Sequence, residues 1–188
     1  MRKAEVTARD RLLAATSELF NRRGVQAIGV DGIVDRAGVA KATLYKHFRS
    51  KDELILAWLR GPQARWLDRV IVEVDGASDD PAQRLTAVFD VMERWFESDS
   101  FQGCAFENTS AEVRDPRSEI RGEIRSYLNE VQAWLSRLLR EAGFDDRQLA
   151  PQLHAVIAGT IWLAFATSSP HEVADAGRDA MRRLLDHR

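Results

Sequence analysis

From Thr7 onward, apolar side chains recur three and four positions apart along nearly the whole chain, and no run alternates with the two-residue period of a half-buried strand. That pattern predicts helices almost throughout. The first is expected to run from an N-cap at Thr7, with Asp10 as its capping-box partner, through Leu12, Leu13, Ala15, Leu19 and Phe20 to a stop at Gly24. A short helix carrying Val30, Ile33, Val34 and Ala37 on one face follows, broken at Gly38, and then another from Lys41 to His47. Ser50 and Glu53 have capping-box spacing and open a longer helix through Leu54, Ile55, Trp58, Trp66, Leu67, Val70 and Val74. Gly61-Pro62 lies inside it and should kink or split it, because proline offers no backbone donor.

After the turn-rich segment 76–81, a helix is predicted through Leu85, Val88, Phe89, Met92 and Phe96. Others are predicted from Cys104 to Val113, from Pro116 to Ala142, from about Asp146 to Thr167, and from Pro170 to His187, with clear breaks at 143–146 and 168–170. The expectation is an all-α chain of about nine helices. Residues 1–51 would form a three-helix, helix-turn-helix head, and residues 52–188 a helical body for ligand binding and dimerisation.

At 188 residues the chain is long enough to bury a core without staples, and its single cysteine, Cys104, cannot form an internal disulfide. A reducing cytoplasm suits it. The first sixteen residues hold no continuous apolar run of a secretory signal. The most apolar stretch, Ala155 to Ala166, is interrupted by Gly159 and Thr160 and falls short of the ~20 residues a bilayer span requires, so a buried helix is expected there and no membrane partner. Net charge is −2, but residues 1–51 carry +6 and residues 52–188 carry −8. A basic head on an acidic body suits a protein that neutralises phosphates with one end only, although chance clustering on solvated faces gives the same average.

Two short helices joined at Gly38-Val39-Ala40 have the dimensions of a helix-turn-helix, whose second helix enters the major groove N-terminus first. Ile33, Ala37, Val39 and Leu44 form the apolar wedge between them. Lys41, Ala42, Thr43, Tyr45, Lys46 and His47 are left with little core work and should face DNA. Lys41 and Lys46 suit phosphates, Lys41 also guanine O6 or N7, and Thr43 and Tyr45 can donate to phosphate oxygens. Lys51 opens the next helix, where its ammonium and the backbone N–H groups favour another phosphate.

The stretch Ile33-Val-Asp-Arg-Ala-Gly-Val-Ala-Lys-Ala-Thr-Leu-Tyr-Lys-His-Phe-Arg-Ser-Lys-Asp-Glu-Leu54 resembles the helix-turn-helix signature of TetR-family regulators. With the first helix, Phe20 and Gly24, the likeness covers about 50 residues. The resemblance implies that Thr43, Tyr45 and His47 contact backbone phosphates, that Lys41 and Ala42 lie near base edges, and that Lys51 holds a phosphate. It implies an all-helical homodimeric regulator, most commonly a repressor, released from a palindromic operator by a small effector. Two positions depart from the pattern: Ala40 stands where a capping serine is usual, at a cost of about 1 kcal/mol, and Gly29 where a Ser or Thr begins the second helix.

In the body, Trp58, Trp66, Phe89, Met92, Phe96, Cys104, Phe106, Trp134 and Trp162 offer aromatic and polarizable surface suited to lining an apolar effector cavity, or equally to filling the core. Gly103-Cys-Ala-Phe106 resembles a segment of some C-terminal domains of the family. A redox role for Cys104 would need an exposed thiol of lowered pKa, and its apolar setting favours a buried one instead. Ala155, Ala158, Gly159, Trp162 and Ala166 on the penultimate helix, with Val173, Met181, Leu184 and Leu185 on the last, make the expected dimer face, which by resemblance joins as a four-helix bundle. No metal or cofactor is expected, and no catalytic constellation appears. His47, His154, His171 and His187 are scattered, GxSxG, phosphate-loop and CxxC patterns are missing, and Glu107, Glu112 and Asp115 read as solvated charges unless folding gathers them. A regulator without an effector, controlled by a partner protein, shares the same head.

Overall fold

The computed structural model of the chain describes residues 6–167 and 169–186. His187, expected to close the last helix, and Ser168, in the expected break before it, lie outside them. Helices α1 (Ala8–Arg23), α2 (Val30–Ala37), α3 (Lys41–His47) and α4 (Lys51–Trp58) are followed by a π-helical turn (Leu59–Gln63) and α5 (Ala64–Asp75). Then come α6 (Pro81–Phe96), α7 (Ala105–Glu112), α8 (Glu119–Glu141), α9 (Leu149–Ala166) and α10 (Pro170–Asp186). With the unbroken run 51–75 counted as one, the described residues hold nine helices and no strand, an all-α fold.

Local chemistry accounts for most boundaries. Thr7 and Asp10 form both halves of a capping box, and Gly24 stops α1 with its N–H on the Phe20 carbonyl at 2.9 Å. Gly38 ends α2 in the left-handed conformation (φ 63°), with Gly38 N–H on Asp35 O and Val39 N–H on Val34 O, the paired bonds of a Schellman motif. Ser50 caps α4 by accepting from Glu53 N–H at 3.1 Å, while the Glu53 carboxylate accepts from Arg49 N–H, one residue before the usual partner. Pro62 neither stops nor splits the helical run. The wider π turn absorbs the missing donor, and Ala64 N–H finds the carbonyls of Gly61 and Leu59.

The chain forms two compact units, each discontinuous in sequence. One comprises residues 1–65 and 105–125, the other 66–104 and 126–188, so neither follows a single cut near residue 52. In the first, Leu12, Ile33, Leu44 and Leu54 are wholly buried, and Phe20 meets Trp58 edge-on at 5.3 Å, tying α1 to α4. In the second, α10 packs on α9 and α6. Arg178 on α10 donates to Asp90 at 2.8 Å and Glu93 at 2.9 Å on α6 from a side chain only 13% exposed.

One expectation needs correction. The apolar stretch around Ala155–Ala166 is not a buried helix: α9 is 18 residues long, and only 33% of it is buried. By length and composition it is the one described helix able to cross a membrane. Only the side bearing Leu153, Ile157, Thr160, Ile161 and Ala164 packs inward, leaving Trp162 61%, Leu163 44% and Phe165 49% exposed.

Candidate nucleic-acid interface

Seven residues make α3, too short to be stable alone, and its seating comes from neighbours. Leu44 is fully buried where α3 packs on α1 and α2, and Phe48, 2% exposed, closes the other end beneath the Arg9 guanidinium, 5.5 Å from its ring centre. Fixing Leu44 inward fixes the rest, because successive helical residues turn by about 100°. Lys41, Ala42, Tyr45 and Lys46 are exposed, Tyr45 by 47%, while Thr43 and His47 are half-buried at the edges of the same surface. Neither α2 nor α3 has a side-chain cap: Gly29 and Ala40 hold extended N-cap backbone but offer no acceptor.

Two lysines stand in different electrostatic settings. Lys41 ion-pairs with Asp31 of α2 at 2.7 Å, and this hydrogen bond raises its pKa above the ordinary value. Both partners are exposed, so water screens the pair and it yields readily to a phosphate or base. Lys51, half-buried in the first turn of α4, has its pKa lowered by burial, against the opposing pull of Asp52 and Glu112. An ammonium partly stripped of water at a helix N-terminus gains most from an arriving anion.

The residues expected to line an effector cavity separate by environment. Trp58, Phe89, Met92, Phe96, Cys104, Phe106 and Trp134 are buried, Trp66 is half-buried, and Trp162 stands on the open face of α9. The indole N–H groups of Trp58 and Trp134 are buried without an acceptor among the described residues. Trp66 also belongs to a ring cluster that sequence reasoning missed. It lies 4.3 Å from Trp95, which meets Phe101 at 4.8 Å, and Phe101 reaches Phe165 at 6.4 Å. Trp95 and Phe165 sit at helical spacing in the sequence, but Phe101 lies in a break, where no periodicity marks it.

Of the residues placed on the dimer face, Ala155, Gly159, Trp162 and Ala166 are exposed along one side of α9, and Ala158 is half-buried beside them. On α10, Val173, Leu184 and Leu185 are half-buried, whereas Met181 is 2% exposed and packs into the core of the chain itself. Glu107, Glu112 and Asp115 do not converge as a catalytic set. Glu112 accepts backbone N–H groups at Val25 and Gln26, Asp115 accepts from Arg117 N–H, and Glu107 is half-buried with its pKa raised to about 7 by loss of solvent. Glu93, Glu97 and His171 bring three possible metal-ligand atoms within 4.8 Å of one another, but Glu93 already binds Arg178, which supplies positive charge there. An open cleft of about 1340 Å³ in the first unit is lined by mixed charges such as Arg9, Asp52, Arg60 and Glu119, unlike an apolar ligand site.

Residues 12–58 match the model described as bacterial regulatory proteins, tetR family, and residues 81–181 match the tetracyclin repressor-like C-terminal domain. The chain is 45% identical over 95 residues to the HTH-type transcriptional activator FasR of Mycolicibacterium smegmatis, a match spanning 49% of this chain and 42% of that protein. It is 26% identical over 164 residues to the HTH-type transcriptional repressor NemR of Escherichia coli, spanning 85% of this chain and 82% of the relative. A crystal structure of a TetR-family transcriptional regulator from Streptomyces coelicolor superposes with a TM-score of 0.88 at 27% identity, over 95% of this chain and 94% of that one. The C-terminal match alone covers more than half of the chain, and the N-terminal match falls on the helices that seat α3. This chain therefore belongs to the tetR family of bacterial regulatory proteins, and it is a DNA-binding transcriptional regulator rather than an enzyme.

Proposed function

We propose that the protein is a repressor that holds a palindromic operator as a homodimer and is released when a small, largely apolar ligand occupies its C-terminal body. The observation that carries the DNA half is the surface of α3, where a buried Leu44 turns Lys41, Ala42, Tyr45 and Lys46 outward together, with Thr43 and His47 at its margins and Lys51 opening the next helix. Repression is favoured over activation because the repressor relative aligns over 85% of this chain, the activator over only 49%. Dimerisation is supported by the exposed Trp162, Leu163 and Phe165 on α9, too large an apolar group to leave facing water. In this reading that face meets a second copy rather than lipid, and the protein works in the cytoplasm.

The effector would bind among the aromatic side chains of the body, residues 52–188. The unpaired indole N–H of Trp134 supports an otherwise apolar ligand that carries one hydrogen-bond acceptor. Ligand binding then shifts the population of dimers away from the spacing at which both α3 helices match successive major grooves. The test starts from selection of bound duplexes out of a random DNA pool. A thermal-shift screen of hydrophobic small molecules, with and without the selected duplex, follows. A compound that stabilises the free protein and weakens operator binding supports the proposal. If every stabilising compound leaves operator affinity unchanged, control by a partner protein replaces it. If no duplex is selected, the DNA assignment of α3 fails.

A further inference from the structure

Glu112 closes α7, and its carboxylate receives two backbone N–H groups from a segment far earlier in the chain: Val25 N–H on Oε1 at 3.2 Å and Gln26 N–H on Oε2 at 2.6 Å. Both amides lie in the turn between α1 and α2, just past the helix stop at Gly24. Val25 is 1% exposed, so its N–H has little access to water and requires an acceptor from the protein. Gly24 leaves the space, since a Cβ there would run into the same carboxylate. Glu112 also acts on Lys51, partly offsetting the effect of burial on that ammonium. On the other side, α7 is tied to α8 by Arg121, whose guanidinium donates to the Ser110 carbonyl at 3.0 Å and to the Ser110 hydroxyl.

We propose that Glu112 is a positioning residue for DNA recognition: its carboxylate clamps the α1–α2 turn to α7 and so fixes the attitude of α2 and α3. The clamp acts close to its target. Four residues after Gln26, α2 begins, and Ile28 between them is buried, so the turn has little slack. Hydrogen bonds to an ionised carboxylate are about twice as strong as neutral ones, and a two-oxygen grip also sets orientation. The proposal rests on α3 being the DNA-reading helix. It also predicts an effect opposite in sign to simple charge. A carboxylate beside Lys51 repels phosphate, so if Glu112 were only a surface charge, removing it would tighten DNA binding, most of all at low salt.

The experiment uses the full chain and a duplex selected from a random pool, with the parent, Glu112→Gln, Glu112→Ala and Lys51→Ala. Operator affinity is measured across a salt series, and amide hydrogen exchange is followed residue by residue. Glu112→Gln keeps the volume but loses the charge and one acceptor. It is expected to weaken operator binding about tenfold and to speed exchange at Val25 and Gln26, while amides of α9 and α10 exchange as in the parent. Equal or tighter binding by Glu112→Gln overturns the proposal, as does weakened binding with unchanged exchange at the two amides. Should Glu112→Ala fail to fold, the isosteric glutamine still decides. Failure of the parent to bind any selected duplex would instead remove the assignment of α3, and Lys51→Ala reports on that assignment independently.

Discussion

Lys41 in the free protein is held by Asp31, and that small restraint has a measurable consequence. Asp31→Asn should release the ammonium and remove a negative charge from beside Lys41, raising operator affinity a few-fold, since a solvent-screened pair of this kind holds the lysine only weakly. Unchanged or weaker binding in a titration would show that Lys41 does not reach DNA. Lys51→Ala and Tyr45→Phe should weaken binding on all sequences, with the salt slope of Lys51→Ala falling by about one unit, whereas Lys41→Ala should change base preference if it reads guanine. Glu107 makes a separate, pH-dependent prediction. Burial lifts its pKa from 4.5 to about 7, so between these values the unfolded chain has released a proton that the folded chain still holds. Stability contributed below 4.5 is lost as pH rises to about 7, and above that the folded protein carries the full cost of a poorly solvated carboxylate. Glu107→Gln should therefore stabilise the folded chain at pH 8 by on the order of 1 kcal/mol, discounted for residual solvent, and change its stability little at pH 4.5. Equal effects at both pH values would contradict this.

Among the elements, the two missing caps give the most direct test of how this head differs from its family pattern. Ala40 already holds N-cap geometry, φ −70° and ψ 148°, and lacks only an acceptor for the first-turn amides of α3. Ala40→Ser should stabilise the chain by about 1 kcal/mol in urea unfolding, and Gly29→Ser by only a few tenths, because glycine is already a fair N-cap. If neither substitution shifts the midpoint, water serves those amides well enough. These positions were legible in the sequence because capping is local. Thr7 with Asp10, Gly24, Gly38 and Ser50 with Glu53 each announce themselves within four residues, and the exposed set on α3 follows from one buried leucine. Features that depend on distant parts of the chain were not legible. Pro62 was expected to kink or split its helix, and a π turn keeps the run unsplit, while Glu112 looked like a solvated charge until folding brought it to Val25 and Gln26. Phe101 joined the aromatic cluster from a non-helical stretch that carries no period.

At the scale of the whole molecule, the open question in the sequence was which neighbour covers an apolar surface. Composition marks Trp162 and Met181 alike as candidates for a dimer face, yet the first is 61% exposed and the second 2%. Met181 lies in the core of the chain itself, and a charge there removes packing that the fold needs; Trp162 lies on the exposed side of α9, the face proposed to meet a second copy. Trp162→Glu should therefore leave the helical content and melting temperature of the subunit close to the parent's while converting dimer to monomer in light scattering. Two half-sites read by linked heads gain an effective concentration that separate heads lack, so operator affinity should fall by about a hundredfold or more even though no DNA-contacting residue has changed. Met181→Glu should instead lower the melting temperature, with any loss of dimer following from loss of fold. If Trp162→Glu remains dimeric with parental operator affinity, the copies meet elsewhere, and the exposed side of α9 must be assigned to another partner.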